Sequence, residues 1–197
     1  MFGFLREKAK KKAGLTDLYA KIVEQARLPV FYEQYDVPDT VDGRFDLICL
    51  HVFLVVDRFY KEGQEGKKTA QALFDCMFMD MDRVLREMGV GDLGIPKHIK
   101  RMMKGFNGRA VAYRAAMDSE NGAALLSVLE KNIYGFARPV DKTKVAVMAG
   151  YMQNTIAMLA AQDMTLLING SITFPFPSEI MKDKEKNERD TFAGMAA

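Results

Sequence analysis

A chain of 197 residues carrying 49% hydrophobic side chains and a formal net charge of +2 is long enough for one domain with a proper core and short appendages. No apolar run approaches the ~20 residues that a membrane-spanning helix needs, and the basic start is followed by no signal-peptide core, so the composition reads as that of a cytosolic protein. Cys49 and Cys76 lie within apolar helical patterns and form no C-x-x-C pair, which sets aside redox and zinc chemistry.

The small net charge conceals a segregation. Residues 15–92 hold nine Lys/Arg against fifteen Asp/Glu, a net of −6, whereas residues 93–117 hold six bases and no acid. The first fourteen residues add +4. Such a division presents electropositive patches to an anionic partner. Fourteen methionines and no tryptophan bias the chain towards adaptable apolar surfaces, although most of the methionines belong in the core.

Residues 1–14 place Phe2, Phe4 and Leu5 before Arg6, Lys8, Lys10, Lys11 and Lys12, and read as a frayed basic arm. The competing reading rests the aromatic end on an anionic bilayer. A first helix opens at Leu15-Thr16, turns Leu18, Tyr19, Ile22, Val23 and Ala26 inward and ends at Pro29. An acidic connector follows, with Glu33, Asp36, Asp39, Asp42 and Asp46 around Pro38 and Gly43. From Arg44 to Tyr60 apolar residues cover nearly every helical direction, as expected of a central helix surrounded by others. Residues 61–68 read as a polar loop leading to Thr69, the expected N-cap of a helix whose stripe runs Ala70, Leu73, Phe74, Met77, Phe78, Met81, Val84, Leu85 and Met88. Asp75, Met79, Asp82 and Arg86 fall opposite that stripe.

The run Gly89-Val90-Gly91-Asp92-Leu93-Gly94 matches G-x-G-x-x-G in form, but a dinucleotide site requires a strand before it and here a helix precedes. It reads as a helix stop and turn. Pro96 marks the start of the next helix, in which Ile95, Ile99, Met102, Phe106, Ala110, Tyr113 and Met117 share one face and Lys97, Lys100, Arg101 and Lys104 the opposite one. Arg109 falls on the apolar side, where an unpaired charge is costly. The expectation is that Asp46 or Asp57 comes within salt-bridge distance of Arg109 or Arg114.

Asp118 or Ser119 is the expected cap of a helix through Leu125, Leu129 and Ile133 that stops near Gly135; Arg138-Pro139 connects onward. Asp141 or Thr143 then starts a long helix ending near Asn169-Gly170, about 40 Å at ~1.5 Å per residue. Residues 172–177 alternate Phe and Pro and must be extended, their phenylalanines covering apolar surface. Residues 178–197 mix charges of both signs and read as a flexible tail. The whole reads as an all-α single helical bundle domain of six or seven helices over residues 15–177, with no internal repeat.

Catalytic signals are weak. Asp75, Asp80 and Asp82 resemble aspartate clusters that hold magnesium and diphosphate, but Asp80 points away from the other two and no second cluster exists, so the three read as solvated face charges or partner contacts. His51 and His98 are on different helices and neither is placed beside a nucleophile, so acyl transfer has no support. No catalytic, cofactor or metal residue is expected. The basic face at Lys97, Lys100, Arg101 and Lys104 is the most informative feature, suited to phosphates, lipid headgroups, ribosomal RNA or an acidic polypeptide.

Several runs in order carry a family resemblance: Leu18-Tyr19 with Gln25-Ala26-Arg27, the run from Val37 to Asp46, Leu50-His51-Val52-Phe53-Leu54, Leu73-Phe74-Asp75, Met81-Asp82, the run from Leu85 to Asp92, Gly108-Arg109 and Tyr113. Together they resemble the ubiquinol–cytochrome c chaperone family over roughly residues 15–140, and more loosely at Ile172-Thr173-Phe174-Pro175. The resemblance implies an all-α chaperone without catalysis or cofactor, attending newly synthesised cytochrome b during assembly of the bc1 complex at the inner-membrane surface. It also implies as partners the ribosome and a smaller protein, as for mitochondrial members, beside an anionic membrane surface and no DNA. Asp75, Met79, Asp82 and Arg86 are then expected to form one contact surface and Lys97, Lys100, Arg101 and Lys104 another. The alternatives are an RNA- or ribosome-binding module using the same basic face and, third, an all-α diphosphate enzyme.

Overall fold

Among the described residues the chain forms eight α-helices up to Ile168, a further helical run at residues 177–180 where an extended end and flexible tail were expected, and no strand. The computed structural model describes residues 2–119, 121–135 and 140–180, with backbone alone for residues 2–5, 7 and 8. The helices are α1 (Phe2–Ala26), α2 (Val30–Glu33), α3 (Val41–Tyr60), α4 (Gly63–Glu87), α5 (Ile95–Asp118), α6 (Gly122–Leu129), α7 (Lys142–Ala161) and α8 (Met164–Ile168). Two of them, α2 and α8, are single turns that hydrophobic periodicity does not register.

The bundle is built around α3. Its residues 47–57 are buried without interruption, because α1, α4, α5 and α7 all pack against it. Thr40 starts the helix by accepting the Gly43 N–H at 3.1 Å, so α3 begins at Val41 and takes in Asp42 and Asp46 from the supposed connector. A Cβ at Gly43 would lie 2.1 Å from the Pro38 carbonyl oxygen, so the close return of the 37–40 segment onto α3 needs glycine there.

Three expected helix starts are corrected. The first helix starts at Phe2 and not at Leu15, so the basic arm is the leading part of α1; Arg6, Lys10 and Lys12 are exposed, whereas Gly14 and Leu15 are buried. Residues 63–68 are helical, and Thr69 is no cap. It is buried within α4, where its hydroxyl donates to the Glu65 carbonyl at 3.0 Å. The cause is tertiary: Gly66 brings α4 so close to the end of α3 that a Cβ would lie 1.9 Å from the Phe59 carbonyl oxygen. The cap of α6 is Asn121, which accepts the Ala123 N–H at 3.0 Å, and Asp118 remains within α5. A wide helical turn at Glu130–Tyr134 extends α6 to Gly135.

The long helix expected up to Asn169 is interrupted. It stops at Ala161, and Asp163 starts α8 by accepting the Thr165 and Leu166 N–H groups at 2.8 and 3.1 Å. At ~1.5 Å per residue α7 spans about 30 Å. The break turns the chain so that residues 171–176 run extended along α1, α3 and α7. Within this strap Phe174 packs against the core, but Phe176 is 68% exposed, and Pro175 and Pro177 are the buried residues instead. Ile180 is buried over Gly150 of α7. The Arg138-Pro139 connector and residues 181–197 of the expected tail lie outside the described residues.

Candidate functional site

The corner where α4 meets α5 is shaped by glycine and proline. Gly89, at φ 81°, ends α4 by donating its N–H to the Arg86 carbonyl at 2.9 Å, while Val90 donates to Leu85 at 3.0 Å. Gly94 and Pro96 then open α5. The G-x-G-x-x-G match is therefore a helix stop, turn and helix start with no preceding strand. At the corner Met88 and Leu93 are 60% and 99% exposed, and farther along α4 and α5 Met79 and Val111 are 58% and 66% exposed.

The two charged faces at this corner differ. On α4, Arg86 holds Asp82 at 2.7 Å and also pairs with Asp92, tying the helix end to the turn. Arg83 bridges Asp80 at 2.5 Å and Glu87 at 2.6 Å. Asp75 accepts the Gln71 amide at 2.7 Å, and Tyr19 donates to Asp80 at 3.0 Å. Thus Asp75, Asp80 and Asp82 spend their carboxylates on separate partners, and no cluster of three metal-ligating side chains occurs among the described residues. On α5, Lys97, Lys100, Arg101 and Lys104 are all exposed, and none pairs with a carboxylate among the described residues. The acids of the α4 face are each engaged by a hydrogen bond or an arginine, whereas the four bases of the α5 face stand without a carboxylate partner among the described residues.

The remaining two bases of α5 turn inward. Arg109 donates to Asp46 at 2.5 Å, and Arg114 donates to Asp57 at 3.0 Å while lying 5.9 and 5.7 Å from the Phe53 and Tyr60 ring centres. These pairs join α5 to both ends of α3. Burial outweighs the attraction of Arg109 and pushes the Asp46 carboxyl up to about 6.

A buried polar relay has no counterpart in the sequence patterns. His51 Nδ1 lies 2.8 Å from the Leu47 carbonyl, and His51 Nε2 lies 2.8 Å from the Tyr151 hydroxyl, which accepts the Gln25 amide at 2.9 Å. Burial pushes the His51 imidazole down to about 4, keeping it neutral. Gln25, Tyr35, Tyr151 and Gln162 give no local signal, since their partners are far away in the chain; the Asp163-Met164-Thr165 cap is the legible sign that a break follows α7.

No helix among the described residues is long and apolar enough to cross a membrane. The fold and sequence have relatives. The chain is 32% identical to a Cbp3 homolog from Brucella abortus in a crystal structure, with a TM-score of 0.78 over 89% of this chain and 96% of that one. It is 23% identical over 85% of its length to ubiquinol-cytochrome-c reductase complex assembly factor 1 of Xenopus laevis, of which it covers 83%. The assembly factor 1 of Mus musculus is likewise 23% identical, over 84% of this chain, which spans 56% of that longer protein. None of these relatives is named for RNA binding. Residues 33–174, most of the chain, match the ubiquinol-cytochrome C chaperone family, and to that family this chain belongs.

Proposed function

We propose that this protein is a non-enzymatic assembly chaperone that binds newly made cytochrome b and assists biogenesis of the bc1 complex. The observation that supports the reading most is the asymmetry of the α4–α5 corner. Lys97, Lys100, Arg101 and Lys104, without a carboxylate partner among the described residues, stand beside the exposed Leu93 and Met88, so the corner offers free positive charge and uncovered apolar surface together. Met79 and the Asp82–Arg86 pair supply a neighbouring contact. A client that is apolar until it is assembled suits such a surface, and the free charge orients it beside an anionic body, the membrane surface or the ribosome. In this reading the protein works peripherally at the cytoplasmic face of the inner membrane, with a smaller partner protein as a further contact.

Deleting the gene and measuring assembled bc1 complex tests the reading. Depletion of the complex, reversed by the wild-type gene, is the expected outcome. Normal levels of the complex in the deletion strain would sink it. Recovery of cytochrome b with the tagged chain from cells making the complex tests the client itself.

A further inference from the structure

We propose that residues 172–177, extended as far as Phe176 with Pro177 opening the helical run that follows, are a displaceable occupant of a groove that holds an apolar peptide by its main chain. The polar groups that fix this strap are side chains of the bundle, and each of them engages the backbone of the strap. The Gln162 amide donates to the Thr173 carbonyl at 2.8 Å and accepts the Thr173 N–H at 2.8 Å. Gln25 donates to the Pro175 carbonyl at 3.4 Å, and Tyr35 donates to the Pro177 carbonyl at 2.8 Å. The readers thus address residues 173, 175 and 177 from the end of α7, from α1 and from the segment after α2. Among the described residues no side chain of the strap makes a hydrogen bond to the bundle.

The side chains of the strap contribute apolar contact alone. Ile172 and Phe174 pack against the core, and the Phe174 ring lies 5.7 Å from His51. Behind it His51, Phe31 and Tyr151 form an aromatic floor, with Phe31 5.5 Å from His51 and 5.0 Å from Tyr151. Main-chain carbonyls are the same in every peptide, so readers at alternate residues over an apolar floor select extended conformation and hydrophobicity, with little regard to sequence. The two prolines keep the strap extended and have no N–H to leave unpaired, so they fill such a groove at low ordering cost. An occupant that replaces the strap must offer a carbonyl to Tyr35, since leaving this buried donor unpaired is costly, whereas Gln25 keeps the Tyr151 hydroxyl as a partner.

The chemistry of the other occupant follows: an extended, apolar, non-helical stretch of polypeptide. That this stretch belongs to the client rests on the chaperone reading; the groove itself rests on its geometry. Removing Phe174 by Phe174→Ala weakens the strap and leaves every reader in place.

The test is titration of a fluorescent synthetic peptide with the sequence of residues 170–180 against the full chain, wild type and F174A. Saturable binding, about tenfold tighter to F174A, is expected, as is a loss of about tenfold when the peptide is N-methylated at the Thr173 position. Gln162→Ala in the F174A background should weaken binding similarly. No saturable binding to an F174A chain of unchanged helical content, or equal binding of the N-methylated peptide, would overturn the proposal. Hydrogen exchange on the wild-type chain keeps the test open if F174A does not fold. The Thr173 amide should exchange faster when peptide is in excess, and an unchanged rate at peptide concentrations up to millimolar counts against displacement. Failure in these measurements would leave any bc1 phenotype of the deletion strain unaltered.

Discussion

The Tyr151 hydroxyl of α7 lies 2.8 Å from Nε2 of His51 on α3, and the other ring nitrogen lies 2.8 Å from the Leu47 carbonyl. Nδ1 therefore carries the proton and donates, while Nε2 accepts. Charging the ring would place a second proton against the Tyr151 hydroxyl in a site without water access, since His51 is fully buried.

This arrangement predicts a pH dependence with a definite sign. Burial lowers His51 from 6.5 to about 4, so the unfolded chain binds more protons between those values. The stability tied to neutral His51 is full above 6.5 and is lost as pH falls to about 4. Asp46 is shifted the opposite way, from 3.8 to about 6, so its contribution is full below 3.8 and is lost as pH rises through about 6. Each shift is worth about 3 kcal/mol at ~1.4 kcal/mol per unit, and the two offset each other in the wild type. Urea midpoints measured between pH 4.5 and 7 should show His51→Gln gaining on the wild type as pH falls and Asp46→Asn gaining as pH rises. Parallel profiles would refute the assignment.

The two inward bases of α5 should differ in what they hold. The Arg109 side chain is 25% exposed against Asp46 at 16%, whereas that of Arg114 is 44% exposed. Breaking the first pair by Arg109→Leu should cost about 3 kcal/mol, because it strands Asp46, and Arg114→Leu should cost less, because Asp57, though 10% exposed, keeps Lys61 at 3.2 Å. A double-mutant cycle with Asp46→Asn, read by chemical denaturation, should recover a coupling of about 1–3 kcal/mol. A coupling near zero would show that the pair contributes nothing beyond its packing.

Glycines within helices should respond with opposite signs. Gly108 of α5 has open space where a Cβ would stand, so Gly108→Ala should stabilise by about 0.5–1 kcal/mol through helix propensity. Gly66 of α4 has the Phe59 carbonyl oxygen 1.9 Å from the corresponding Cβ position. Gly66→Ala should therefore destabilise by roughly 1–3 kcal/mol as the α3–α4 crossing is forced apart. Thermal midpoints of the two variants decide the matter.

Charge reversal separates the two faces of the corner. Lys100→Glu with Lys104→Glu should leave stability within about 0.5 kcal/mol, since both residues are exposed and neither holds a carboxylate among the described residues. It should reduce recovery of cytochrome b several-fold. Asp75→Lys, on the face whose acids are already engaged, should reduce it much less. Equal recovery with all of these variants would remove the basic face from the binding surface.

Much of the architecture is written in hydrophobic periodicity. The unbroken apolar run around Leu50 marks α3 as the buried centre, and the stripe from Ala70 to Met81 marks the inner side of α4. Both are local properties: a helix that repeats every 3.6 residues shows its inward face in the order of its own side chains. The free basic face of α5 is legible for the same reason, because Lys97, Lys100, Arg101 and Lys104 share a face whatever packs behind them.

What the fold alone decided was where helices end and which distant groups meet. Thr69 has the chemistry of a cap, yet the close approach of Gly66 to Phe59 extends α4 past it and buries it. Gln25 and Pro175 lie 150 residues apart, and no spacing rule connects them. The same holds for Asp80 of α4, which accepts from the Tyr19 hydroxyl 61 residues away. Propensity and pattern act over a few residues, whereas a buried donor must find its acceptor wherever packing brings one. That requirement placed the 172–177 strap across the aromatic floor, and only three-dimensional packing reveals it.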